Sequence, residues 1–358
     1  MALHQFIQRL LLIGAHLDTL PPAPTPVAPR QLQPLIDAVA GAHQRVDERA
    51  LHFGHRYRSG FWSIYLLSAL AVLCAVLPLA LGWDSATHLL HPYAGVWAIS
   101  EVVVIGIVSA IYWQGHRSDW QGQWLRARTT AELTWYLPMM APLLDFDAPA
   151  AEPNWYLRVF DPGQHLRSAD DVATLCTRTE PLARELLATA WSDAAFVASY
   201  AGWTIDILEQ QRHYHHHVAS KQHALMHRVH RINSVLFGLT AVGAMLHLLI
   251  HTLWLSLATT FFPALGASLH GALAQSEAYR LSTTSERLVV ELKGAIERIQ
   301  AAAGSAGSDG GARPVGALHG GVLHVAALKA SIEAAIALIL DEHQDWNLLV
   351  RPHHLPLA

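Results

Sequence analysis

FWSIYLLSALAVLCAVLPLALGW, from Phe61 to Trp83, carries no charged residue over a run long enough to cross a hydrocarbon layer of about 30 Å at about 1.5 Å per helical residue. Lipid offers backbone N–H and C=O groups no partner, so such a run has to be a helix that bonds to itself. Working outward, Ala94 to Trp113 is apolar except for Glu101, Ser100, Ser109 and bordering glycines, and it reads as a return span after a short polar loop. Ile232 to Ile250 and Thr252 to His270 supply a third and a fourth span, with their turn placed near His247 to His251. A buried soluble helix pair is the competing reading of these two shorter runs. The 358 residues are 52% hydrophobic and 15% charged, with a mean hydropathy of +0.24, more apolar than a soluble domain tolerates. The expected fold class is all-α: a polytopic membrane protein with two transmembrane helical hairpins and a cytoplasmic helical bundle.

Basic residues near the span ends orient the chain, because they are retained on the cytoplasmic side. Arg45, Arg49, Arg56 and Arg58 precede the first span, Arg117, Arg126 and Arg128 follow the second, and the loop between has no Lys or Arg. Lys221, Arg228 and Arg231 before the second hairpin, and Arg280, Arg287 and Lys293 after it, repeat the pattern. Both termini are therefore expected in the cytoplasm of a cell whose inner membrane the chain spans. Trp62, Trp83, Trp97 and Trp113 fall near span ends, where amphipathic rings prefer the headgroup boundary.

The net charge is −4 and the 24 Lys and Arg form no long run, so no nucleic-acid partner is expected. The two cysteines, Cys74 and Cys176, imply neither a disulfide framework nor a metal pair. A Ser-His-Asp site, a phosphate-cradling glycine loop and a Cys nucleophile motif are not recognisable, so no enzyme activity and no cofactor is expected.

The chain divides into an N-terminal amphipathic helix and Pro-rich linker (1–29), a first module (30–145) holding the spans 61–83 and 94–113, a cytoplasmic helical region (146–230), a second module (231–302) holding the spans 232–250 and 252–270, a flexible linker (303–314), and a C-terminal helix and tail (315–358). The start, MALHQFIQRLLLIGAHLDTL, has a short apolar core with His16 soon after, so an amphipathic helix is preferred to the competing reading of a cleaved secretory signal. Arg126-x-x-Thr-Thr-x-Glu132 and Arg280-x-x-Thr-Thr-x-Glu286 follow the two hairpins, and His55-Arg56 and His227-Arg228 precede them. This is the signature of one module written twice.

Trp120, Trp124, Arg128 and Glu132 recur at four-residue steps along one helix face, which suits packing and assembly of the cytoplasmic helices, as do Arg280 and Glu286. The first exit helix is expected to reach about Tyr136 and to stop before Pro138. Glu101 is the one acid well inside a span, where a charge costs roughly 2.5 to 3.5 kcal/mol at the bilayer centre. With Ser256, Thr259 and Thr260 it is a candidate pore-lining residue; interfacial exposure of Glu101 and helix packing by the small polar residues are the plainer readings. The 24 histidines concentrate in HYHHHVASKQHALMHRVHR, where His216, His223, His227 and His230 fall near one another on a helix face. Imidazoles at i and i+4 can bind zinc, but with no Cys or clustered Asp beside them a wet polar face is the preferred reading, and no metal is expected.

The pattern resembles the SLATT group, bacterial proteins with two transmembrane helices followed by a cytoplasmic helical segment, here in tandem. The resemblance is carried by RYRSGFW from Arg56 to Trp62, the Trp120-x-x-x-Trp124-x-x-x-Arg128-x-x-x-Glu132 row, Gln211-x-x-Tyr214, FPALGASLHG from Phe262 to Gly271 with Glu286, and Glu342-x-x-x-Trp346. It implies a membrane effector of a bacterial conflict or antiphage defence system, forming a homo-oligomeric pore in lipid when a nucleotide-sensing partner triggers it. No sensor domain is recognisable in the chain, so the sensor is expected in a partner protein or in a longer chain. A constitutive ion or metal transporter using Glu101 and His247, and a non-conducting membrane scaffold, are the alternatives.

Overall fold

Two helices organise the molecule: α2, Gln33–Ala80, and α6, Ala194–Leu249, of 48 and 56 residues. Each begins in a water-soluble base and runs on without interruption through a predicted span. Nothing between Trp203 and Phe237 of α6 is Gly or Pro, so no residue there stops the helix where its surroundings change from protein to lipid. The expected division at residues 230 and 231 therefore falls inside one continuous helix. The computed structural model describes residues 1–83, 85–143, 169–187, 190–250, 252–307 and 325–340. The other helices are α1 (Leu3–Leu11), α3 (Ala94–Arg117), α4 (Trp120–Met140), α5 (Ala169–Leu187), α7 (Leu255–Gln275), α8 (Ala278–Gly307) and α9 (residues 325–340), with no strand among the described residues.

Four segments, Arg30–Ala80, His91–Arg117, Ala194–Leu249 and Leu255–Gly304, are long and apolar enough to cross a membrane, and they contain the four expected spans. The boundaries differ in detail. α2 stops at Ala80 rather than Trp83, because Gly82 takes the left-handed conformation (φ +71°) that closes the helix: Trp83 N–H donates to the Pro78 carbonyl at 2.9 Å and Gly82 N–H to Leu79 at 3.1 Å. The second turn lies at Ile250 to Trp254, since α6 continues through His247 to Leu249; His251 and Asp84 lie outside the described residues. α4 does not stop before Pro138 but runs to Met140, with Tyr136, Leu137, Met139 and Met140 all buried. Burial of four large side chains outweighs the roughly 3 kcal/mol that a helical proline costs. α8 reaches Gly307, so the first residues of the expected linker are helical. The expected loop from Asp145 to Ser168 lies outside the described residues except at its neighbours, as do residues 315–324 of the expected C-terminal helix and the Glu342-x-x-x-Trp346 pair.

Packing is graded along the long helices. The base has the largest apolar core: Leu32, Leu35 and Val39 of α2, the end of α4, the start of α6 from Phe196 to Leu208, Leu292, Ala295, Ile296 and Ile299 of α8, and Leu328, Ile332, Ile336 and Ile339 of α9. α9 thus packs into the base. A second cluster forms the neck, where Tyr57, Phe61, Trp62 and Ile64 of α2 meet Ile7 of α1, Trp124 and Leu125 of α4, Leu225 and Val229 of α6, and Leu269, Ala272 and Leu273 of α7. Beyond the neck the spans are nearly bare: 6% of the most apolar window of α3 and of α6 is buried, against 28% for α2. α3 packs along α2, α2 along α7 and α7 along α6, while α3 and α6 do not pack along each other. The spans therefore stand in a row, α3–α2–α7–α6, and Val96, Ile99, Val102 and Val103 of α3 and Val235, Phe237, Val242 and Met245 of α6 leave its two ends apolar and exposed within the chain.

The two halves use the same plan. In the first, α2 packs along the return helix α3 and the exit helix α4; in the second, α6 packs along α7 and α8. The return and exit helices meet at Ser118-Asp119 and at Ser276-Glu277, and Asp119 (φ 43°) and Glu277 (φ 55°) are the non-glycine residues with positive φ among those described. The matching corners support the duplication and refine its register: from corner to Arg-x-x-Thr-Thr-x-Glu motif, α4 is four residues longer than α8, one helical turn.

Tyr200 is fully buried between Phe196 and Trp191, and its hydroxyl donates to the Met139 carbonyl at 2.6 Å, tying α6 to the end of α4. Burial raises the phenol pKa and keeps that proton in place. Tyr200→Phe leaves a buried carbonyl unsatisfied and should destabilise the base by about 1 to 2 kcal/mol, read as a lower thermal midpoint in detergent; an unchanged midpoint would show that this bond contributes nothing.

Candidate functional site

Glycine admits a close helix contact in the neck. A Cβ at Gly54 would lie 2.8 Å from Trp124 Nε1, so the α2–α4 crossing exists at this spacing because position 54 has no side chain. Trp124 stacks on Tyr57 at 5.6 Å between centroids and an interplanar angle of 25°, and the Arg58 guanidinium sits over its ring at 4.8 Å. Arg56 lies over Trp120 at 6.0 Å, and Arg128 pairs with Glu132 one turn on. The four-residue row of α4 is thus brought together against α2 as packing and ion pairing. Arg280 pairs with Glu277 at 3.7 Å, and Glu286 reaches His223 Nε2 at 2.7 Å.

α1 closes the neck from the side. Ile7 enters the apolar cluster, and His4 is buried against α2, with Nδ1 3.2 Å from Ser59 Oγ and its ring 5.3 Å from that of His55. The surroundings are basic. Burial, then the charges of Arg58, His55 and Lys221, lower the His4 pKa to about 4. Burial lowers the Lys221 pKa, reinforced by Arg58 and Arg9, and Arg58 is lowered by burial, with Tyr214 opposing and Arg128 adding to the shift. The opposite face of α1 presents Leu3, Phe6 and Leu10 outward, level with the start of the first span, the arrangement of a helix lying in the membrane interface.

His216, His223 and His227 do share a site. They line one cleft of about 550 Å³ with Ser220, Glu286 of α8, and His16 and Asp18 from the segment after α1. His230 turns instead toward α7, its ring 6.2 Å from that of His270. Among the described residues no three His, Cys, Asp or Glu side chains stand close enough to hold a metal ion. Sequence reading missed His16 and Asp18: their part in the cleft depends on where the proline-rich segment is laid down, and helical spacing carries no information about that.

The pore-lining candidates are not gathered on one path in the single chain. Glu101 is half-buried on the stripe of α3 that includes Trp97 and Val104 and turns toward α2, about two turns from the helix start. Trp97 meets Trp83 at 5.8 Å nearby, so Glu101 lies within reach of the headgroup boundary at the hairpin tips. Ser256 Oγ donates to the Leu253 carbonyl at 2.5 Å, Thr259 Oγ1 to Leu255 at 3.3 Å, and the Thr259 methyl lies against Gly243, so both belong to the turn and the α6–α7 contact; Thr260 is exposed. No family model matches the chain, and no curated protein or solved structure matches it.

The His4 environment gives a pH prediction. A docked His4 titrates near 4 and a free one near 6.5, so the undocked state binds the extra proton between those values. The stabilisation is full above pH 6.5 and is lost as pH falls toward 4, with a ceiling of roughly 3 kcal/mol. Protection of residues 3–11 against hydrogen exchange, taken relative to the intrinsic rate at each pH, should therefore fall between pH 7.5 and pH 5, and His4→Gln should flatten the dependence; equal slopes for both proteins would exclude His4 as the cause.

Proposed function

We propose that the protein is a membrane effector of a bacterial conflict system, which opens a leak in the inner membrane when a sensor partner acts on its cytoplasmic base, and so depolarises and arrests the cell. The observation that carries this reading is the continuity of α2 and α6, each a single helix that is core in the base and a span beyond it. A displacement imposed on the base has no loop in which to be absorbed before the membrane. Arg45, Arg49, Arg56, Lys221 and Arg228 on the base side support its placement in the cytoplasm. In the single chain the pore-lining candidates form no shared polar path among the described residues, with the hydroxyls of Ser256 and Thr259 bonded to backbone carbonyls and Glu101 half-buried toward α2. Conduction then belongs to a regrouped state in which spans of several copies turn Glu101 and Thr260 onto a shared wall. A transporter working alone through Glu101 and His247 needs both on one path, and they stand on α3 and α6, the two ends of the row.

Membrane potential followed after induced expression in bacteria tests the reading. The wild-type chain should depolarise cells and Glu101→Leu should do so several-fold more weakly at equal membrane abundance; an unaltered potential with both removes the pore.

A further inference from the structure

The contact between the two modules is heterologous. Entry helix α2 of the first packs along return helix α7 of the second: Gln275 Nε2 donates to Tyr57 Oη at 2.9 Å, and Gly271 leaves room for the Tyr65 ring, which a Cβ there would strike. In a chain whose halves share one plan, the equivalent contact is entry helix α6 along return helix α3. The chain does not make it. α3 and α6 are left at opposite ends of the row, with the barest spans in the molecule.

Of the two matching positions one carries the same message, since Val229, which answers to Tyr57, is already buried within the chain. Counted from His55-Arg56 and His227-Arg228, Tyr65 corresponds to Phe237, and Phe237 is 76% exposed with no helix against it. Glycines within the spans fall into two groups. Gly243 meets Ala258 Cβ at 3.0 Å, Gly266 meets Asn233 Oδ1 at 3.5 Å and Gly271 meets Tyr65, so each serves a helix contact inside the chain. Gly106 of α3 and Gly238 of α6 have nothing within 4 Å of an added Cβ, and neither has Gly95 in the first turn of α3, at the tip end of the span. From the tip ends of their helices, Ala94 and Leu249, Gly106 and Gly238 lie about 18 Å and about 16 Å into the membrane, the same depth. Helices in lipid gain no hydrophobic energy by meeting, so close approach at small residues is what holds them together.

We propose that a second copy of this chain occupies the open edge, its α3 packing along α6 of the first with Gly106 and Gly238 at the crossing, in continuation of the α2–α7 contact. The interface is head-to-tail, so each copy keeps one open edge and the series closes into a ring or extends as a chain. Every further copy is added by the same contact, and no second kind of interface is required. The arrangement stands independently of whether the assembly conducts ions.

Disulfide trapping in native membranes tests it. Two differently tagged chains lacking the natural thiols (Cys74→Ala, Cys176→Ser) are co-expressed, one carrying Gly106→Cys and the other Gly238→Cys, and oxidised. Covalent dimers bearing both tags are expected, at least tenfold above those joining like with like. A like-with-like product in equal or greater yield would mean a symmetric interface and overturn the proposal. Absence of any product from chains that retain wild-type helicity would mean that lipid alone covers the edge, and adducts to an unrelated protein would assign it to another partner; either result also overturns it. A second measurement needs no thiol: Gly106→Leu fills the notch on α3 and should shift the detergent-extracted protein at least tenfold toward monomer, and an unchanged distribution would count against the interface whatever the trapping gives.

Discussion

A peptide group in hydrocarbon has no hydrogen-bond partner except the next turn of its own helix, and that constraint decides the rest of this molecule. It keeps each of the four apolar runs helical except for a few residues at the hairpin tips. Once α2 and α6 are helical through the membrane, they continue into water for as long as no residue breaks them, which for α6 means a run of 56 residues. The base is built around the same two helices. α4 and α8 return from the corners to pack along the same two helices, and the remaining helices fill what is left around the base core. The neck, with Gly54 against Trp124 and Tyr57 against Gln275, is where apolar packing among protein side chains gives way to lipid.

Much of this was legible in the sequence because it depends on local signals. The uncharged run from Phe61, its return from Ala94, and the basic flanks specify spans by composition alone, and the four spans are all present as helices. What escaped was set by tertiary context. Pro138 reads as a stop, yet burial of Tyr136, Leu137, Met139 and Met140 draws the helix past it. His247 reads as part of a turn, yet it sits within the last helical turns of α6, because a polar residue near a tip can reach interfacial water without leaving the helix. The division expected between residues 230 and 231 falls inside one helix, and no sequence signal marks where an unbroken helix passes from protein into lipid.

The candidate residues divide by the same logic. Trp120, Trp124, Arg128 and Glu132 were legible because a four-residue step on a helix fixes a face, and that face lies on α2. The histidine cleft was only half legible: His216, His223 and His227 share a helix, but His16, Asp18 and Glu286 reach it from elsewhere in the chain. The basic setting of His4 was not legible at all, because it arises where α1 lies across α2 near residues that start a different half of the protein. Spacing along one element predicts a face; it does not predict what is laid against that face.

The two corners have a mechanical consequence. Asp119 and Glu277 hold left-handed backbone that side-chain-bearing residues adopt at a cost of about 1 to 2 kcal/mol. Asp119 offsets part of that by accepting from Gly122 N–H at 3.1 Å and pairing with Arg126 at 2.9 Å. These are the joints at which a return span meets its exit helix, and they sit at equivalent places in both halves. Each joint is a short turn between two helices, so a change of φ and ψ at its left-handed residue alters the angle there without breaking the backbone hydrogen bonds that either helix would have to lose to bend. The stiff members are α2 and α6, and the compliant elements are these two acidic elbows, so the two arms can change their splay with neither long helix having to bend.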